Sequence, residues 1–325
     1  MISVEHLTKT YKVAKKEKGF SGFLKNLFKR EYKKVEAVKD IFFEVGEGEL
    51  VGLIGPNGAG KTSTMKILAG ILYPTAGQVS VLGFTPFEKK KGFLKQIAFV
   101  MGQKNQLLWD LPAYDSFLLN KEIYEIRDSD FRKTLENLTQ LLNCKDLINQ
   151  SVKTLSLGER MKMELIASVL HKPKVLFLDE PTIGLDVVAQ KTIRDFIKEY
   201  QSLYKATILL TSHYMEDVKQ LAKRVMIINL GKIIYDGPLS ELVKQYVKTK
   251  TITVILEEEP DPRILRQIDA NYRADFPKVI FKVEREELEN KVELISRNLS
   301  FADITIEEER IENIIRKIFQ KGNES

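Results

Sequence analysis

The chain has little that could staple it together or hold a transition metal: 325 residues carry one cysteine, three histidines and one tryptophan. A single thiol cannot close an internal disulfide, so Cys144 is expected as a small apolar residue near Leu141 and Leu142. His6 is expected in a strand and His171 at a helix end, and no metal-ligand spacing links them. Long apolar runs are missing as well, since no stretch approaches the roughly eighteen uncharged residues of a bilayer span. The opening MISVEHLTKTYK alternates like a strand and has no basic region followed by an apolar signal core. The chain is therefore expected in the cytosol, with any membrane role supplied by a partner.

Charge is abundant but uneven. The net charge is +6, and residues 12–34 alone hold nine Lys or Arg against two Glu. The remainder is near neutral, which argues against a nucleic-acid surface spread over the whole protein. Within that basic insert Phe20, Phe23, Leu24, Leu27 and Phe28 recur at steps of three and four, with Lys25, Lys29 and Arg30 on the other face. This is the pattern of a short basic amphipathic helix. It fits two expectations equally: contact with an anionic membrane surface or a membrane protein, and packing on the chain's own β-structure.

Short apolar runs at 50–54, 96–100, 175–178, 207–211 and 225–229 alternate with helical stretches. That alternation predicts an α/β fold with a mainly parallel sheet covered on both faces. Residues 104–171 read as helical, with Leu135, Leu138, Leu141 and Leu142 at three- and four-residue steps. After a boundary near 240–250, strands at 251–257, 278–284 and 303–307 and helices at 262–271, 286–299 and 308–319 predict a small α/β domain over 248–325.

Two motifs carry chemistry. Residues 55–62, GPNGAGKT, fit G-x-x-x-x-G-K-[ST] after an apolar strand and before a helix. Glycines let backbone N–H groups turn inward onto phosphates, and the helix adds its positive dipole end. Gly55, Pro56, Asn57, Gly58, Ala59, Gly60, Lys61, Thr62 and the adjoining Ser63 are the expected nucleotide contacts, with Lys61 on the β- and γ-phosphates and Thr62 on Mg²⁺. Residues 175–180, VLFLDE, end a buried strand on two carboxylates. Asp179 is the expected Mg²⁺ support and Glu180 the expected acceptor of a proton from attacking water.

The residues between and after these motifs narrow the field. TLSLGER at 154–160 resembles the LSGGQ signature of the ABC ATPase family, Gln103 its Q-loop, Gly184-Leu185-Asp186 its D-loop, His213 its switch histidine and Tyr11 its adenine-stacking aromatic. All lie in family order across residues 1–240. The resemblance implies a P-loop NTPase with a RecA-like core, an antiparallel β-subdomain and a helical signature subdomain. The insert and the C-terminal domain look like those of ATPase subunits serving exporters, similar to drug-resistance and sodium-export systems. Leu157 and Glu159 depart from LSGGQ, whereas Ser156 and Gly158 remain; the Glu159 side chain is expected to point away from nucleotide.

The family further implies a head-to-tail dimer, with a second copy or a homologous ATPase subunit. ATP and Mg²⁺ would lie between one subunit's phosphate loop and the other's Ser156 and Gly158. Gln103 would sense metal and water, His213 would contact the γ-phosphate, and Asp186 would couple the two sites. A separate transmembrane permease is the implied partner, received near the apolar Leu107, Leu108, Trp109 and Leu111, and the expected location is the cytoplasmic face of the cell membrane. Two other classes compete. A soluble ABC ATPase acting on ribosomes or nucleic acid is disfavoured by the single ATPase domain and the lack of long coiled coils. A non-catalytic ATP-gated module is disfavoured by Glu180 and His213.

Overall fold

The computed structural model describes residues 1–14, 32–102, 104–212, 214–246, 249–308, 314–315 and 319. The expected helix around 20–28 and the expected roles of Gln103 and His213 lie outside these residues. The chain divides into two compact units, Met1–Gly237 and Pro238–Ser325.

The first unit contains two sheets. β1 (Ile2–Ala14), β2 (Tyr32–Val45) and β4 (Ala76–Val81) form an antiparallel sheet in the order β2-β1-β4. The basic insert is shorter than its composition suggests. Lys12, Val13 and Ala14 pair with Lys34, Lys33 and Tyr32, so residues 12–14 and 32–34 belong to a strand ladder. Lysine stems tolerate the solvent face of a strand, and charge composition alone does not mark where pairing stops.

The second sheet has the order β5-β6-β7-β3-β8-β9. It uses β3 (Leu50–Ile54), β5 (Ile97–Met101), β6 (Val175–Asp179), β7 (Thr207–Thr211), β8 (Arg224–Asn229) and β9 (Lys232–Pro238). The pairs from β5 through β6, β7 and β3 to β8 are parallel. Every residue of β3, β6 and β7 is buried, as parallel strands covered on both faces require. Leu53, Thr211 and Asp179 align across neighbouring strands, so the C-terminal ends of β3, β7 and β6 finish at one level. In open α/β sheets ligands bind beyond such ends.

Helix α1 (Lys61–Leu68) leaves β3 through the 55–60 loop, and α2 (Lys91–Leu94) precedes β5. Met65, Ile67 and Leu68 of α1 join one apolar cluster with residues of both sheets, among them Val4, Phe43, Phe177 and Leu209. The helical subdomain comprises α3 (Ala113–Ile123), α4 (Asp128–Leu141) and α5 (Leu157–Val169). Cys144 is buried just beyond α4. α6 (Val187–Tyr204) joins β6 to β7, and α7 (Met215–Leu221) follows β7.

The second unit carries α8 (Leu239–Tyr246), then β10 (Thr249–Leu256), α9 (Pro262–Ile268), β11 (Arg273–Asp275), β12 (Lys278–Glu284), α10 (Leu288–Asn298) and β13 (Phe301–Glu308). The last six elements form a βαββαβ unit with antiparallel order β11-β12-β10-β13, a split-βαβ arrangement. Ile252, Val254, Phe281, Val283, Leu265 and Ile295 make a core of its own.

Candidate functional site

The phosphate loop is shaped by close backbone approaches. A Cβ on Gly55 would lie 2.3 Å from the carbonyl oxygen of Ile228 in β8. Gly60, the N-cap of α1, has φ 112°, and a Cβ there would lie 2.4 Å from the carbonyl oxygen of Ala37. Glycine alone meets both demands. Ala59 is buried and its N–H donates to Pro56 O at 3.1 Å, while Gly231 N–H donates to Ala59 O at 3.0 Å. The loop is thereby stitched to the β8–β9 turn.

Lys61 is buried, and its ammonium donates to Gly55 O at 2.6 Å and Pro56 O at 3.1 Å. Burial holds its pKa below the ordinary lysine value, opposed by the charges of Glu180 and Asp179. Asp179 Oδ1 accepts from Thr211 Oγ1 at 2.7 Å and Thr62 Oγ1 at 3.3 Å. Strand β6, strand β7 and helix α1 therefore meet on one carboxylate oxygen.

Glu180 begins the turn after β6. Its N–H is shared between Thr211 O and Oγ1, both at 3.1 Å. Its φ is 57°, a left-handed conformation that costs a non-glycine residue about 1–2 kcal/mol. Packing enforces it. Gly102 N–H donates to Asp179 O at 2.9 Å, and a Cβ on Gly102 would fall 2.0 Å from Glu180 O. Gly102 was not among the sequence candidates, although a glycine directly after a buried strand signals this kind of backbone approach. Asn57, Gly58, Thr62, Lys66, Gly102, Lys104, Asp179 and Glu180 line a cavity of about 620 Å³. The Tyr11 hydroxyl lies 3.0 Å from Ser63 Oγ on α1, and Lys9 Nζ sits 5.2 Å from the centre of the Tyr11 ring.

The signature residues form a second cluster and do not line that cavity. Ser156 is the N-cap of α5: its Oγ accepts from Glu159 N–H at 3.3 Å, while Glu159 Oε2 accepts from Ser156 N–H at 2.9 Å. In this reciprocal pair the Glu159 side chain folds back onto the backbone of Ser156. The S-x-x-E spacing was the available signal. Those hydrogen bonds hold the Glu159 carboxyl below the usual glutamate range. Leu157 Cδ2 is 3.2 Å from where a Gly184 Cβ would stand. A Cβ on Gly158 would lie 2.9 Å from Ala189 Cβ. Asp186 caps α6 by accepting from Ala189 N–H at 2.9 Å, so the signature turn and the Asp186 turn pack as one body.

A glycine-rich loop between a buried parallel strand and a helix, with a threonine and a strand-end aspartate sharing a hydrogen bond, defines a P-loop nucleotide-binding protein. The family model described as ABC transporter matches residues 38–183. The ABC transporter ATP-binding protein NatA of Bacillus subtilis (strain 168) is 32% identical over 215 residues, covering 66% of this chain and 87% of NatA. The bacitracin transport ATP-binding protein BcrA of Bacillus licheniformis is 30% identical over 214 residues, 66% of this chain and 69% of BcrA. A solved ATP-binding subunit of an ABC transporter matches with TM-score 0.62 at 22% identity, covering 75% of this chain and 92% of that one. The cassette MJ0796, solved as a dimer bound to ADP and Pi, matches with TM-score 0.60 at 20% identity over 74% of this chain and 99% of that one. The chain belongs to the family of ABC transporter ATP-binding proteins.

Proposed function

We propose that this ATPase works as one of two head-to-tail nucleotide-binding subunits, a second copy or a homologue, driving a separate transmembrane permease at the cytoplasmic face of the membrane, in the direction of export. The observation that carries the chemistry is the convergence of Lys61, Thr62, Asp179 and Glu180 at the C-terminal ends of β3 and β6. Thr62 Oγ1 and Asp179 Oδ1, 3.3 Å apart, are hard oxygen donors suited to Mg²⁺. Bound there, the ion would neutralise charge on the β- and γ-phosphates. Lys61 would release its loop carbonyls and take phosphate oxygens. Glu180, held in its strained turn, would accept a proton from the attacking water. Tyr11 would cover the adenine beside Ser63, and Gln103 and His213 keep the metal-sensing and γ-phosphate roles that the family pattern gives them.

Two incomplete half-sites in one chain argue for the dimer. Ser156 and Gly158 lie apart from the cavity, and Val187 and Val188, beside Asp186, are 76% and 77% exposed. Such apolar exposure marks an interface. Permease contact is supported by Leu108, Trp109 and Leu111, which are exposed while Leu107 turns inward. It is supported also by a groove of about 490 Å³ lined by Leu94, Phe99, Met101, Ile123, Lys89, Lys91 and Lys95. Export is supported by the relative named for bacitracin transport. The basic amphipathic pattern within 12–34 supports contact with the anionic leaflet.

The deciding test is Glu180→Gln. ATP binding is expected to persist while hydrolysis falls at least about a hundredfold and the nucleotide-bound chain accumulates as dimer, read by phosphate release and light scattering. Turnover near the native rate would remove Glu180 as the base.

A further inference from the structure

Three carboxylates are buried among the described residues: Asp179, Asp217 and Glu164. Asp179 belongs to the nucleotide cavity. Asp217 is paired with Arg194 at 2.8 Å. Glu164, on α5 and only 4% exposed, has no cation within ion-pair distance among the described residues. An apolar side chain would be cheaper at such a place, so a buried acid there needs a directional reason. Its reason is visible: Glu164 Oε1 accepts from the N–H of Gln106 at 2.8 Å, next to Leu107, whose N–H donates to Asn105 Oδ1 at 3.2 Å. Gln106 in turn donates through Nε2 to Phe99 O at 3.0 Å. The carboxylate thus holds the start of the loop that presents Leu108, Trp109 and Leu111.

A second contact runs beside it. The Arg160 guanidinium, one turn earlier on α5, lies 5.4 Å from the centre of the Trp109 ring. Behind the ring, Lys153 N–H donates to Trp109 O and Val152 N–H to Leu111 O, both at 3.0 Å. Ser156, Arg160 and Glu164 stand at four-residue steps, which puts them along one stripe of α5 and its cap. The stripe that grips the loop therefore ends on the signature serine.

We propose that Glu164 is a positioning residue that joins the 106–111 loop to the Ser156–Gly158 turn, so that a permease segment displacing the loop displaces the signature serine with it. This rests on the assignment of Ser156 to the partner's nucleotide and deepens it by naming the joint. Burial pushes the Glu164 carboxyl up to about 7, opposed by the N–H groups of Gln106 and Leu107 and by the charge of Arg160. Protonation removes the negative charge that draws those N–H groups, so the grip on the loop weakens as the carboxyl takes its proton.

Trp109 is the chain's one tryptophan, and its emission reads the loop directly. In the full chain the Trp109 emission is expected to titrate with a midpoint near 7. Glu164→Gln, which keeps the shape and an acceptor, is expected to flatten that titration. Glu164→Leu, which strands the Gln106 N–H, is expected to lower kcat for ATP about tenfold with KM changed less than about twofold. Its melting transition by circular dichroism shows whether the variant is folded, and Glu164→Gln carries the test where it is not. Emission that stays flat from acid to alkaline pH in the native chain, or the same titration in Glu164→Gln, overturns the proposal. So does native kcat in a folded Glu164→Leu. Ser156→Ala run alongside separates the two claims: native turnover in Ser156→Ala would sink the shared-site reading while leaving the emission test to judge the link between Glu164 and the loop.

Discussion

The phosphate loop and the signature turn, the two halves of the proposed shared site, are held by opposite means. At the ends of β3 and β6 the backbone itself makes the site: Gly55 against Ile228 O, Gly60 against Ala37 O, Gly102 against Glu180 O. At the start of α5 side chains do the holding, through the Ser156–Glu159 capping pair, the Glu164 carboxylate and the Arg160–Trp109 contact. Backbone packed so closely that no Cβ fits has one arrangement; polar side-chain contacts can be exchanged at about 1 kcal/mol each. The difference fits a site in which one half must stay fixed on the nucleotide while the other arrives and leaves with a partner.

The largest break would come on the fixed side. Gly60→Ala places a Cβ 2.4 Å from Ala37 O at φ 112°. A loss of about 3–5 kcal/mol is expected from clash and strain together. Gly58→Ala is the internal control: its φ is 81° but a Cβ would meet nothing within 4 Å, so only the conformational cost of about 1 kcal/mol applies. Thermal melts and binding of a fluorescent ATP analogue compare them. Equal losses in the two variants would mean that packing against Ala37 does not shape the loop.

On the movable side the effects should be smaller and separable. Ser156→Ala removes the cap of α5 at about 1 kcal/mol and also the hydroxyl proposed to meet the partner's γ-phosphate, so turnover should fall further than stability does. Glu159→Ala loses only the return hydrogen bond of the capping pair, and Glu159→Gln keeps its shape, so their turnover should fall less, in that order. Steady-state ATPase rates set beside melting temperatures check the ranking. A Glu159→Ala chain as slow as Ser156→Ala would show that the hydroxyl itself contributes nothing beyond its placement.

The same contrast explains what could be read from sequence. GPNGAGKT and VLFLDE announce themselves because the fixed half demands particular residue types at fixed spacing: glycine where no Cβ fits, lysine, a hydroxyl, carboxylates at a strand end. The continuous apolar runs of β3, β6 and β7 likewise reveal a buried parallel sheet. Glu164 was invisible, since an acid on a helix with many charges reads as solvent-facing until the 104–108 segment is seen to cover it. The role of Glu159 is legible only through the S-x-x-E capping pattern, which its departure from LSGGQ obscures. The insert was drawn too wide because β1 and β2 carry lysines on an exposed hairpin, where charge and strand pairing coexist. The long-range approach of Gly102 to Glu180 has no local signature beyond the glycine.

The far end of α5 supplies a test that pH alone reads, because a single ring holds it where several exchangeable contacts hold the near end. His171, just past that helix, stacks on Tyr124 with ring centres 3.7 Å apart, and its Nε2 lies 3.0 Å from Ile97 O on β5. A ring nitrogen facing a carbonyl must be the donor, so Nε2 carries the proton. Nδ1 is buried without a partner among the described residues. Adding a second proton would strand an N–H, and burial accordingly lowers the pKa from 6.5 to about 4. A depressed histidine gives its full contribution above the unfolded value and loses it as pH falls through the folded one, because the unfolded chain takes the proton first. Between pH 7 and pH 5 this group alone should remove about 2 kcal/mol of stability. His171→Phe keeps the ring against Tyr124 and gives up the bond to Ile97, so it should start about 1 kcal/mol less stable at pH 7 and lose less on acidification. Denaturant melts of both chains at the two pH values measure the gap. If it stays constant, His171 does not pin α5 to β5 through its neutral ring, and the helix that carries Ser156 would have no such pin at its far end.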